Sequence, residues 1–239
     1  MDPSRSLGGR GGGIDDPDGP ERVAGPWMPW ENAQPQVVTL DPLYGRVCEQ
    51  CDLSARALTG ARLADGKFGG SDFSRSTMLR ANVSNSVFDE ANFARADLSH
   101  AKLTNGKFVH VKFSGAVMTD AEANGAVLDR ADFTNADLPL PPSRASFAQA
   151  SLKDARFLAA RAQGASFLRA ELRRADFTLA VLQRADFSGA DLEKVAFDRA
   201  DISGANFIGA RNLTQRQLHN ACGDGETRLP PGLAVAPCH

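Results

Sequence analysis

Hydrophobic and polar positions recur along this chain with a period of five residues. Every fifth residue from Leu53 to Leu138, and again from Phe147 to Phe207, is taken as the centre of a five-residue unit. All of these centres except Ala123 and Ala162 are large and apolar. The residue two before the centre is Ala in 22 of the 31 units, and it is small in all but three, which have Arg56, Val111 and Val195. All fourteen phenylalanines are centres: Phe68, Phe73, Phe88, Phe93, Phe108, Phe113, Phe133, Phe147, Phe157, Phe167, Phe177, Phe187, Phe197 and Phe207. Each unit therefore buries two side chains and exposes three.

Neither an α-helix nor a flat strand sorts side chains with this period. In a helix, positions five apart are rotated by about 140°, and in a strand they point to opposite faces. A chain that turns a corner once per unit satisfies the pattern, and such internal repetition is typical of solenoids. Like residues also recur every twenty positions, as in Phe73, Phe93 and Phe113. Four units therefore make one coil, with like residues stacked in successive coils.

Units such as 91–95 (ANFAR), 131–135 (ADFTN) and 190–194 (ADLEK) resemble those of the pentapeptide-repeat family. The resemblance covers residues 51–210 in two unbroken registers. It implies an all-β fold, a right-handed quadrilateral parallel β-helix, here of about eight coils. Right-handed crossovers are the general rule for parallel strands, which agrees with this expectation.

Two solenoid sections, 51–138 and 147–210, are predicted on either side of a Pro-rich break at 139–146. Leu138 and Phe147 are nine residues apart where ten would keep the count. The break is interpreted as a bend or loop that serves either as a recognition element or as a hinge. If it spans one shortened unit, Ala123 and Ala162 fall on the same face.

Both ends of the chain differ from the repeats. Residues 1–26 are rich in Gly, Pro and Asp and are predicted to be disordered, whereas 27–50 regain apolar residues and are expected to cover the first coil. At the other end, 211–222 contain a capping-box pattern from Thr214 to Gln217, which predicts a short capping helix. Residues 223–239 are expected to form an extended tail, on the rod or loose.

The chain has neither a long apolar run nor a signal-peptide pattern, so a cytoplasmic location without membrane association is expected. In that compartment the four cysteines need no disulfide. Cys48 and Cys51 have the spacing of half a zinc site, but the other cysteines lie beyond the far end of the rod. No metal site is therefore predicted, and Cys51 is interpreted as a small inward residue.

Catalysis is not expected. His100 and His110 occupy equivalent positions ten residues apart, which places them on opposite sides of the rod. The Asp and Asn residues before each centre recur with the unit, and solvation and corner hydrogen bonding explain them. A convex rod offers no pocket where two carboxylates could converge. The protein is accordingly predicted to be no enzyme and to need no cofactor.

The resemblance implies two partner classes. The best-understood relatives, similar to Qnr and MfpA, protect DNA gyrase and topoisomerase IV by imitating the charge and width of DNA. The candidate acidic surface for such a role is Asp132, Asp137, Asp176, Asp186, Asp191 and Asp201. Residues 51–210, however, hold 20 Lys plus Arg and 19 Asp plus Glu, a net charge of 20 − 19 = +1.

Because a DNA mimic needs a sustained negative potential, the leading hypothesis is a non-enzymatic protein-interaction or scaffold solenoid of unknown partner. DNA mimicry toward a type II topoisomerase is the alternative. Direct nucleic-acid binding is not expected, since basic and acidic residues are interleaved and the aromatics are inward. Relatives that dimerise through their C-terminal coils imply a homodimer here, which Leu168 and Ile208, forty residues apart, would fit.

Overall fold

The structure is a computed structural model that describes residues 47–138 and 145–238. The predicted disordered segment 1–26 and most of the predicted cap 27–50 lie outside the described residues, as do 139–144 of the predicted break. Each five-residue unit contributes one bridging residue to one of four parallel ladders, and these ladders define faces A to D. Ladder A runs from Val47 to Arg211, ladder B from Asp52 to Ala196, ladder C from Ala57 to Cys222, and ladder D from Arg62 to Arg228. Two short parallel strands follow, β1 (Cys222–Gly223) and β2 (Ala236–Pro237).

The period of five allows every backbone N–H of a unit to find an acceptor. Residues 71–75 show the scheme, in which three bonds join neighbouring coils, one closes a turn and one goes to a side chain. The five N–H groups donate in order to the Phe68, Cys51 and Asn92 carbonyls, to Asp72 Oδ1 and to the Ala94 carbonyl, at 2.7 to 3.2 Å. Because buried backbone groups must be paired, this accounting explains why the coil repeats as it does.

The corner of each unit requires a left-handed residue. The last residue of the described units has a φ between 53° and 70°, whether it is a glycine such as Gly115 or a larger residue such as Arg75 or Leu179. Non-glycine residues rarely adopt this region. Here the stacked coils above and below fix the conformation.

Phenylalanine rings fill the interior in two columns. On face B the rings of seven successive coils stack at centroid distances of 4.6 to 5.7 Å. They are Phe73, Phe93, Phe113, Phe133, Phe157, Phe177 and Phe197. A second column contacts them edge to face, from face A in the first section and from face D in the second. Its rings are Phe68, Phe88 and Phe108, then Phe147, Phe167, Phe187 and Phe207. All fourteen rings are at most 1% exposed.

The register across the break differs from the prediction. Glu122 bridges Ser146, so Leu138 and Phe147 are centres of consecutive units that are nine positions apart instead of five. The chain therefore carries an insertion between faces C and D and no shortened unit. Ala123 lies on face D and Ala162 on face C, so the prediction that they share a face is wrong. This register keeps the face B column continuous, with Phe133 and Phe157 stacked at 4.6 Å.

The predicted capping helix is also replaced by another structure. Residues 215–220 are turns, whose bonds span three residues: Gln217 N–H donates to the Thr214 carbonyl and Leu218 N–H to that of Gln215. Thr214 N–H does donate to Gln217 Oε1, as a capping box requires. Gln217 Nε2, however, donates to the Leu192 and Val195 carbonyls at 2.7 and 3.0 Å. These two hydrogen bonds from Gln217 to the open end of the coil hold residues 215–220 in turns.

The C-terminal segment packs on the last coil. Leu218 and Ala221 are buried, and Leu229, Leu233 and Val235 contact the core cluster. β2 pairs with β1 in register Cys222 to Ala236, which adds a strand beyond the end of ladder C. No helix in the described residues has the length and apolar character to span a bilayer.

The prediction that the cysteines form no disulfides is wrong. Cys48 is bonded to Cys51, with Cα atoms 5.6 Å apart, and Cys222 to Cys238, with Cα atoms 4.7 Å apart. Cys48 is the centre of one unit and Cys51 the small residue of the next, so the turn between them brings the side chains together. Disulfides are typical of oxidising compartments. The cytoplasmic location remains a prediction.

Candidate interaction surface

The aspartates of the candidate acidic surface are engaged with their own backbone. In five of the six, a side-chain oxygen accepts the N–H two residues ahead, at 2.9 to 3.3 Å. The pairs are Asp132 with Thr134, Asp176 with Thr178, Asp186 with Ser188, Asp191 with Glu193 and Asp201 with Ser203. This is the fourth N–H of the unit, the one that no backbone carbonyl accepts, so the recurrent Asp or Asn completes the hydrogen bonding of the coil.

Asp137 is the exception among the six. The residue two ahead is Pro139, which has no N–H to donate. Asp137 Oδ1 is buried without a hydrogen-bond partner, and Arg161 Nε lies 3.8 Å from it.

The six aspartates do not form one patch. Asp132 and Asp176 lie on face B, Asp137 and Asp201 on face C, Asp186 on face D, and Asp191 on face A. The Asp191 side chain is only 3% exposed. The structure therefore distributes these carboxylates around the rod.

Ion pairs between neighbouring coils further balance the charge of face A and of the corner beside it. The pairs are Lys107 with Asp89 at 2.6 Å, Lys153 with Glu171 at 2.6 Å, Arg173 with Asp191 at 2.8 Å and Arg174 with Asp154 at 2.5 Å. Hydrogen bonding by Arg174 lowers the pKa of Asp154, and the same interaction raises the pKa of Arg174. Both signs of charge thus alternate up this face, which shortens the reach of its field.

Asp132 provides a test of the structural role of these carboxylates. Burial raises the pKa of Asp132, but hydrogen bonds from Thr134 and Ser114 outweigh it and hold the pKa below its ordinary value of 3.8. The stability that this carboxylate contributes is therefore present above the unfolded pKa and is lost as pH falls through the lower folded pKa.

We expect Asp132→Asn to lower the free energy of unfolding at pH 7 by about 1 kcal/mol, and we expect the difference from wild type to shrink near pH 3. Urea unfolding at both pH values measures this. Exposed Glu122→Gln is the control, with a change within about 0.5 kcal/mol at both. A difference for Asp132→Asn that stays constant with pH would contradict the assigned role.

A different surface emerges on face D of the second section, which we call the neutral face. Its twelve outward positions contain only two charged residues, Arg169 and Asp186. They are residues 146, 148, 149, 166, 168, 169, 186, 188, 189, 206, 208 and 209. In the same coils, eight of the nine corresponding positions of face A at 151–194 are charged.

Two aliphatic side chains stand on the neutral face. Leu168 is 37% and Ile208 is 53% exposed, at the same position of units two coils apart, with Ser188 between them. The sequence predicted that these two share a face. It did not single out the scarcity of charge around them, although reading every twentieth residue would have found it.

The C-terminal end holds a groove, which the sequence did not predict for a convex rod. Ladder B stops at Ala196, and the turns of 215–220 leave an open depression of about 620 Å³ beside it. Its lining includes Lys194, Asp198, Arg216 and Asn220. Asn220 Nδ2 donates to Asp198 at 2.7 Å. His100 and His110 lie at other corners, and the absence of enzymatic activity remains a prediction.

Comparison with known proteins identifies the repeat. A family model described as "Pentapeptide repeat region" matches residues 126–207. One described as "Pentapeptide repeats (8 copies)" matches 57–93, 67–105, 79–115 and 107–139. No curated protein sequence matches the chain.

Three solved structures are similar to this chain. A structure of QnrB1, a plasmid-mediated fluoroquinolone resistance protein, is 17% identical, covers 76% of this chain and 92% of its own, and has a TM-score of 0.61. HetL, involved in heterocyst differentiation regulation in the cyanobacterium Nostoc sp., is 26% identical, with coverage of 77% and 86% and a TM-score of 0.37. A pentapeptide-repeat protein of the Arabidopsis thaliana thylakoid lumen is 30% identical, with coverage of 40% and 77% and a TM-score of 0.32.

Proposed function

Since the chain belongs to the pentapeptide-repeat family and its fold is a right-handed β-helix solenoid, we propose that it is a non-enzymatic interaction protein whose partner protein binds the neutral face. The observation that carries this proposal is the pairing of scarce charge with exposed Leu168 and Ile208 on one flat face. The other faces of the same coils lack that combination.

The energetics of association favour this face. The centres of protein interfaces are depleted in charge and enriched in apolar contact. Covering face A would remove water from the ion pairs of Lys153 with Glu171 and of Arg173 with Asp191. The cost of desolvating such charges can exceed the attraction between them. Covering the neutral face removes mainly Ser, Ala, Gly and aliphatic surface from water. Stacked coils also hold the face rigid, which reduces the ordering cost on binding.

Charge introduced into the neutral face tests the proposal. We expect the double variant Leu168→Glu, Ile208→Glu to weaken partner binding at least tenfold, because it buries two unpaired carboxylates in the interface. The measurement is affinity capture of partners by the tagged full chain, with the captured protein then titrated against each variant.

The matched control is Leu179→Glu, which alters a side chain 46% exposed at the corner between faces B and C. Wild type and Leu179→Glu should capture the same protein, and all variants should melt alike. Retention of that protein by the double variant would refute the neutral face as the interface.

In this proposal the partner is either a second copy of this chain or a different protein. If it is a second copy, sedimentation should show that the wild type is a dimer and the double variant a monomer. If the wild type is a monomer, the partner is a different protein.

DNA mimicry toward a type II topoisomerase is the second candidate function, supported by the fold shared with QnrB1. The aspartates argue against it, since they are dispersed over four faces and engaged with the backbone. The net charge of +1 over residues 51–210, 20 − 19, gives no sustained negative potential. We therefore rank protein binding through the neutral face first.

A further inference from the structure

Three potential metal ligands converge where the C-terminal strand meets the last coil. Asp201 and Cys222 are neighbours on ladder C, and β2 brings Cys238 beside them. Cys238 Sγ lies 3.3 Å from Asp201 Oδ1, and one ligand atom from each of the three residues lies within 4.8 Å of the other two. All three side chains are partly buried. Among the described residues, no other group of this kind is present.

The Asp201 carboxylate is already oriented toward the sulfurs. Its Oδ1 accepts hydrogen bonds from Ser203 N–H at 3.0 Å and from Ser203 Oγ at 2.7 Å, and its Oδ2 accepts one from Gln183 Nε2 at 2.6 Å. Ser203 Oγ also lies 3.4 Å from Cys238 Sγ. Carboxylates that bind metals are commonly held by such outer hydrogen bonds.

We propose that reduction of the Cys222–Cys238 disulfide creates a zinc site formed by both cysteines and Asp201. Tetrahedral zinc with Zn–S bonds of about 2.3 Å and Zn–O bonds of about 2.0 Å places S and O about 3.5 Å apart and the two sulfurs about 3.8 Å apart. The 3.3 Å between Cys238 Sγ and Asp201 Oδ1 is close to the first value. A water molecule supplies the fourth ligand.

The disulfide and the zinc site cannot exist at the same time. In the oxidised state the sulfurs are bonded to one another and offer no thiolate. A dithiol reductant donates two electrons and two protons to the bond, which yields two protein thiols and leaves the reductant as a disulfide. Zinc then displaces the two thiol protons as it binds. Because either linkage joins Cys238 to ladder C, the C-terminal strand stays fastened under both oxidising and reducing conditions.

The Cys48–Cys51 pair offers a matched control. It has the same chemistry at the other end of the described chain, but it belongs to no such group of ligands. Replacing both residues by Ser removes the second possible source of zinc binding without touching the proposed site.

The test uses the full chain with Cys48→Ser and Cys51→Ser. The protein is reduced with dithiothreitol, freed of it under argon, and titrated with Zn²⁺ against a chromophoric chelator. We expect one zinc per reduced chain and none per oxidised chain. Cys222→Ser should abolish binding, and Asp201→Asn should weaken it at least tenfold.

A second readout is the melting temperature of the reduced protein, which zinc should raise because it binds the folded state. Asp201→Asn preserves the shape of the side chain, so its result stands even if Cys222→Ser fails to fold. Absence of zinc uptake by the reduced chain, or equal uptake by Asp201→Asn, would overturn the proposal.

Discussion

Replacing Phe177 by Asp is expected to abolish the folded state of the second solenoid section. The Phe177 ring is 0% exposed and stacks on Phe157 at 4.6 Å and on Phe197 at 5.7 Å, with edge contacts to Phe167 and Phe187. Removing a buried Phe costs about 3–5 kcal/mol, and the unpaired carboxyl group adds to this. The sum is comparable to the whole stability of a typical domain, about 5–15 kcal/mol. Far-UV circular dichroism and urea unfolding measure the loss.

Arg174→Ala is the matched control three residues away. Arg174 pairs with Asp154 at 2.5 Å, but its side chain is 55% exposed, and exposed ion pairs contribute little to stability. We expect this variant to unfold like wild type. Equal destabilisation by the two changes would contradict the assignment of inward and outward positions.

Removing residues 214–239 is expected to have the second-largest effect. The truncation uncovers the end of the last coil, where Leu218 and Ala221 are buried, and it deletes the ladder D partner Arg228. Loss of the apolar contacts and of the hydrogen bonds to the coil should lower the free energy of unfolding by at least about 3 kcal/mol. The exposed strand edges should also cause self-association. Thermal melts and sedimentation velocity measure the two effects.

Gln217→Ala separates hydrogen bonding from coverage in this region. It leaves the tail in place and removes the side-chain donor to the Leu192 and Val195 carbonyls, together with the acceptor of the Thr214 N–H. We expect this variant to lose about 1–3 kcal/mol of unfolding free energy and to remain monomeric.

A truncated chain that remains monomeric and as stable as wild type would show that the C-terminal segment does not cap the solenoid.

The sequence predicted the repeating part of the fold because its physical cause is local and recurs. Phe93 and Ala91 are buried for the same reason as Phe113 and its neighbours, so one unit specifies the rest. The corner role of residues such as Asp132 follows in the same way, since each unit has one N–H that no carbonyl accepts.

The features that the sequence did not predict depend on contacts between distant residues. The register across the break is consistent with stacking of Phe157 on Phe133, which no local pattern reveals. The turns at 215–220 replace a helix because Gln217 binds carbonyls more than twenty residues earlier. The Cys222–Cys238 disulfide likewise depends on β2 returning to ladder C. The relative faces of the acidic residues before and after the break also depend on that register.

The most direct test of a neutral binding surface, as opposed to an imitation of DNA, is a DNA gyrase supercoiling assay with a fluoroquinolone and the full chain. We predict that supercoiling is inhibited by the drug to the same extent with and without the protein at equimolar concentration. Restored supercoiling at that concentration would contradict the account.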